Sequence, residues 1–152
     1  MKALVTILSS FLLMITSCNR QPDLERVLQS FASEAEADIS DYGAILFIPL
    51  EGCGSCIQRG TEFYQNNGDN TNILFVFCTY KPYAYDFLKN NNRSNVIIDN
   101  KNVAIRDKIL STAPVAYIKE SSHFKYLGVT TGDFDYTTLL RQSFEESEIK
   151  NQ

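Results

Sequence analysis

Seven consecutive positions, Ala44-Ile45-Leu46-Phe47-Ile48-Pro49-Leu50, carry no polar side chain. A run this short, with two β-branched isoleucines and no alternation, predicts a strand buried on both faces of a helix-covered sheet. Ile73-Leu74-Phe75-Val76-Phe77-Cys78 repeats the pattern, and Val96-Ile97-Ile98 and Val115-Ala116-Tyr117-Ile118 give two shorter strands. Glu120-Ser121-Ser122 turns the last of these into Phe124-Lys125-Tyr126-Leu127, its hairpin partner.

Between the strands the apolar period becomes helical. Leu24, Val27, Leu28, Phe31, Ala35 and Ile39 predict an amphipathic helix over 23 to about 38, with Pro22 near its start. Glu25, Glu34, Glu36 and Asp38 line its outer faces as solvating charges. Cys56, Ile57, Gly60, Phe63 and Tyr64 share one face of a second helix that ends near Asn66-Asn67-Gly68. Pro82 opens a short helix with Ala84, Phe87 and Leu88, and Asp99 or Asn100 caps another with Val103, Ala104 and Ile109. Asp135 as N-cap, with Phe134 and Leu139 at staple spacing, starts a last helix whose inner face is Tyr136, Leu139, Leu140 and Phe144. Alternating strands and helices predict an α/β domain with parallel crossovers, and the terminal hairpin adds an antiparallel pair, making the sheet mixed.

Composition narrows the picture. The chain has 152 residues, 44% of them hydrophobic and 21% charged, which suits one globular domain with a sizeable core. A net charge of -4 argues against a nucleic-acid partner. Four cysteines are too few to build a fold of this length, so individual thiols have individual roles.

The N-terminus has its own logic. After Lys2, the 13 residues Ala3 to Ile15 are almost wholly apolar, too few for a bilayer span of roughly 20 but right for the core of a signal peptide. Ile15-Thr16-Ser17-Cys18 follows. This resembles the processing box of bacterial lipoproteins, which implies removal of residues 1–17 and lipidation of Cys18. Residues 18–22 would then be anchor and tether, and 23–152 the domain. The alternative is an ordinary secretory signal with an incidental cysteine. Either way the domain faces an oxidising compartment, where an unprotected dithiol tends toward the disulfide.

Gly52-Cys53-Gly54-Ser55-Cys56 lies where the first strand passes into the second helix. Haem attachment would need histidine after the pair, and position 57 is Ile57. A structural zinc site would need four ligands, and beyond Cys53 and Cys56 the domain offers only Cys78 and His123 as soft ones. A dithiol redox pair remains, or a pair retained without redox function. At a helix start, unpaired N–H groups and the helix dipole favour a thiolate, which makes Cys53 the candidate nucleophile and Cys56 the resolving thiol.

Three features together resemble a thioredoxin-fold protein. They are the apolar strand leading into Cys53-Gly54-Ser55-Cys56, the segment Ala113-Pro114-Val115 before the hairpin, and Val96-Ile97-Ile98-Asp99 with Val103-Ala104 and Thr112-Ala113-Pro114. The third is similar to the TlpA-like, membrane-tethered branch. The resemblance covers residues 42–144. It implies a thioredoxin-like fold in which Pro114 is cis and lies against the dithiol, leaving the backbone of Ala113 open to an extended substrate. It further implies a lipid-anchored, periplasm-facing thiol–disulfide oxidoreductase acting on disulfide-containing or dithiol proteins, without cofactor or metal. A non-catalytic binding module of the same fold, or a zinc-dependent structural module, are the alternatives. Three features depart from the family: Gly52 stands where an aromatic residue is usual, Ile45 to Ile48 hold no acidic residue, and the middle pair of the motif is Gly54-Ser55 in place of Gly-Pro or Pro-x.

Four further expectations concern neighbours of the pair. Cys78 is a small core residue, or lies close enough to Cys56 to join in exchange. Glu51 is read as a solvated loop carboxylate, with proton shuttling as the sharper alternative. Tyr80, Tyr83 and Tyr85 begin near the same sheet edge. His123, on the hairpin, is assigned no role.

Overall fold

The strand predicted first, Ala44–Pro49 (β1), is the centre of a mixed five-stranded sheet. The other strands are Ile73–Cys78 (β2), Val96–Asp99 (β3), Val115–Glu120 (β4) and His123–Val129 (β5), in the order β3-β2-β1-β4-β5. The computed structural model describes residues 24–79, 81, 88, 93–110, 112–129 and 136–141. The expected signal segment, Cys18 and the expected tether lie outside these, as do Tyr80, Tyr83, Tyr85, the expected Pro82 helix apart from Leu88, the expected Asp135 cap and Phe144. β1 and β2 pair in parallel, as do β2 and β3, whereas β4 runs antiparallel to both β1 and β5.

Alternation along each strand divides the core into two layers, as the side-chain period of two requires. Ile45, Phe47, Leu74, Val76, Cys78, Val115 and Tyr117 face helix Leu24–Glu34 (α1) and the short helix Val103–Arg106 (α3). Ala44, Leu46, Ile48, Ile73, Phe75, Phe77, Ala116 and Ile118 face helix Gly54–Asn67 (α2) and residues 136–141 (α4), which deliver Phe63, Tyr64 and Leu139. Burial of every β1 and β2 side chain explains why neither strand alternates in sequence.

α1 ends earlier than its apolar period suggests. Glu36 takes φ 53°, in the left-handed region, and the N–H of Ala37 closes on the carbonyl of Ala32 at 2.9 Å. Ile39 is nevertheless only 6% exposed, because the loop after the helix carries it back to the core. At the end of α2 the guanidinium of Arg93 fills the space a side chain at Gly68 would need, lying 5.3 Å from the Tyr64 ring centroid and 3.1 Å from Asp69. Asn95 Nδ2 shares its hydrogens among the carbonyls of Gly68, Asn70 and Ile73, which ties the entry of β3 to that of β2.

Neither residue expected to cap α3 is its N-cap, which is Asn102, but Asp99 serves its first turn from three residues before. Its carboxylate accepts the N–H groups of Val103 and Ala104, each at 2.9 Å, across Asn102, which sits at φ 50°.

Candidate functional site: a dithiol at the start of α2

β1 ends at the sheet edge where Leu50 N–H donates to Cys78 O at 3.0 Å. Two residues later the chain makes a turn that only glycine takes easily. Gly52 has φ 128°, and a Cβ there would lie 2.6 Å from the carbonyl oxygen of Thr112. An aromatic residue at this position is therefore excluded by the backbone. Cys53 follows in extended conformation, with its N–H donating to Thr112 O at 3.1 Å and its own carbonyl accepting from Ile57 N–H at 2.9 Å. It is the N-cap of α2, and its side chain makes no capping hydrogen bond.

Cys53 and Cys56 are joined as a disulfide, with Cα atoms 5.3 Å apart, inside the range the bond requires. Cys53 is partly exposed and Cys56 is only 7% exposed, the division of labour expected of an attacking and a resolving sulfur. Ser55 is exposed, and its Oγ lies 3.6 Å from Cys53 Sγ. When the bond is reduced, this hydroxyl and the uncapped first turn of α2 both face a developing thiolate. A Cβ at Gly54 would meet nothing within 4 Å among the described residues, its chain neighbours aside, so the space next to Cys53 on this side is open.

Pro114 and Ala113 come to the same place. A Cβ at Gly60, one turn beyond Cys56, would lie 3.1 Å from Pro114 Cγ and 3.4 Å from Ile48 Cγ2, so the proline ring packs directly on the backbone of α2. Ala113 makes no backbone bond to another described residue. The cis bond implied by the resemblance is not found: no peptide bond among the described residues is cis. Trans is the intrinsically favoured form of an X–Pro bond by about 0.5–1 kcal/mol, and the Cys53–Thr112 bond already ties this loop to the dithiol turn.

Cys78 shares the sheet edge but not the site. It is fully buried in the layer that packs on α1, while α2, which carries the dithiol, covers the opposite face. Burial above all, then the charge of Asp99 and its hydrogen bond, then the charge of Glu51, push its thiol well above the usual range. The reading of Cys78 as a core residue therefore holds over the reading as an exchange partner.

Glu51 is not the freely solvated carboxylate expected. It is partly buried, with Oε1 accepting from Thr79 Oγ1 at 2.6 Å and Oε2 buried without a partner. The position carried no sign of this in sequence, because the partner is 28 residues away. His123 is exposed and within 2.7 Å of Ser122 Oγ. It pairs with Glu120 beyond the N-terminal end of β1, whereas Cys78 pairs with Pro49 at the C-terminal end, so a ligand set of Cys53, Cys56, Cys78 and His123 does not converge. Among the described residues no group of three His, Cys, Asp or Glu side chains is placed to hold a metal.

No protein-family model matches the chain, and no curated protein matches it. The reading of the site therefore rests on its geometry.

Proposed function

We propose that the chain is a thiol–disulfide oxidoreductase of thioredoxin-like fold, tethered through Cys18 and facing an oxidising compartment. The observation that carries this is the Cys53–Cys56 disulfide at the uncapped start of α2, with its less buried sulfur beside an open approach and a hydroxyl. The mixed sheet flanked by helices and the meeting of Pro114 with α2 support the same reading.

In the reducing direction the Cys53 thiolate attacks one sulfur of a substrate disulfide, forming a mixed disulfide and expelling the other substrate sulfur as a thiolate. Cys56, having lost its proton, then attacks Cys53 Sγ. That step forms the Cys53–Cys56 bond and releases the second substrate thiolate, so two electrons pass from the dithiol to the substrate. The oxidising direction runs the same steps in reverse. Ala113, whose backbone is unpaired among the described residues, supplies a polar edge beside Cys53 for an extended substrate segment.

Equilibration of the purified domain against a glutathione series tests the reading. A reversible two-electron couple confined to Cys53 and Cys56 is expected, with Cys53→Ser losing substrate turnover by roughly a thousandfold or more. A pair that never cycles, in a domain that still folds, would instead identify a non-catalytic binding module.

A further inference from the structure

The dithiol and the start of α1 lie at opposite ends of the sheet. β1 runs from Gly43 toward the dithiol turn, and β4 runs back from Thr112, beside Cys53, to Lys119, whose N–H donates to Gly43 O at 2.7 Å. The hairpin turn at Ser121 and Ser122 therefore projects beyond the end of β1 remote from Cys53. The first turn of α1 is fastened at this remote end, where Glu25 Oε2 accepts the N–H of Phe124 at 3.2 Å. The six residues of β1 separate the two ends by about 20 Å.

The segment from Cys18 to Leu24 is six Cα-to-Cα steps long, and even drawn out fully it reaches only about 20 Å. A lipid on Cys18 therefore holds the hairpin end close to the bilayer. Turning the dithiol end onto the same bilayer would require the whole tether to be stretched along the side of the domain.

We infer that the domain works pointing outward: its dithiol serves disulfides in proteins that stand about 20 Å clear of the anchoring bilayer in preference to those at that bilayer's surface, which it meets only with the tether fully extended. This rests on the reading of Cys18 as a lipid anchor, and it is independent of whether the dithiol turns over.

The test uses the full, lipidated chain in vesicles of phosphatidylethanolamine and phosphatidylglycerol carrying an acceptor-labelled lipid. Both site cysteines are replaced, Cys53→Ser and Cys56→Ser, and a donor dye is attached through Ser122→Cys in one variant and Gly54→Cys in the other. Both positions are exposed, and Cys78 is buried away from the reagent. Strong energy transfer to the lipid from position 122, and its loss at position 54, is the expected result. Equal or reversed transfer in protein that floats with the vesicles overturns the orientation. Failure of the chain to float at all overturns the anchor and the orientation with it. A long flexible glycine–serine insert after Gln21 should erase the difference, and a difference that survives the insert would refute the part assigned to tether length.

Discussion

α2 and α3 begin at the same edge of the sheet, following β1 and β3, and their first turns are treated in opposite ways. At α3 the buried carboxylate of Asp99 takes the N–H groups of Val103 and Ala104, so the positive end of that helix is satisfied from within the protein. At α2 a sulfur occupies the cap position and makes no capping hydrogen bond, and among the described residues no carboxylate takes the place that Asp99 has at α3. Under the proposed function, the contrast separates a structural helix start from a chemical one. A resident anion closes the first, and the second keeps its donors for an anion that exists only when the disulfide is open.

The comparison can be broken at either start. Asp99→Ala should have the largest effect on stability, a loss of about 2–4 kcal/mol in urea unfolding, because two buried N–H groups lose their acceptor. The rate at which the reduced protein's Cys53 is alkylated should stay the same. If it changed in step with stability, the two helix starts would not be independent.

Ser55→Ala acts on the other start alone. Removing the hydroxyl beside Cys53 Sγ should raise the apparent pKa of that thiol and slow its alkylation at pH 6 by about three- to tenfold, since hydrogen bonds to charged groups are among the stronger ones. Unfolding should be unaffected, because Ser55 is exposed, and Ser55→Thr should restore much of the rate.

The smallest expected effect belongs to Cys78, which shows what a thiol does where anions are already present. Its folded-state pKa is raised by burial, Asp99 and Glu51. As pH climbs through the usual thiol range, the unfolded chain releases this proton and the folded one retains it, so stability must fall. Cys78→Ala should flatten that alkaline slope by about 1 kcal/mol between pH 7 and 9.5, measured with the dithiol held in one redox state. Tyr117, pushed up to about 12 by burial first and then by Tyr126, adds a loss of the same sign at higher pH.

Much of this architecture was legible in the chain because the signals are local. Unbroken apolar runs announced β1 and β2, and the spacing of Cys53 and Cys56 after such a run announced a helix start. The misses came from interactions that ignore sequence distance. Ile39 keeps helical spacing with Phe31 and Ala35, yet the helix stops before it, because Glu36 adopts a left-handed conformation that no glycine or asparagine advertises. Glu51 looked solvated until Thr79 was brought to it by the β1–β2 pairing. Gly52 was visible as a departure from the thioredoxin-like pattern the sequence resembles, but its cause, the carbonyl of Thr112, is a contact across 60 residues of chain.

The far edge of the sheet carries a different consequence. On β5, Leu127 is an extra residue opposite the Ala116–Tyr117 step, and the neighbouring Phe124 N–H is occupied by Glu25 instead of a strand. A bulged, partly occupied edge is a poor template for a strand from a second molecule. Copies crowded together therefore lack a continuous β5 ladder along which to zip into a shared sheet, and that edge gives them protection against aggregation.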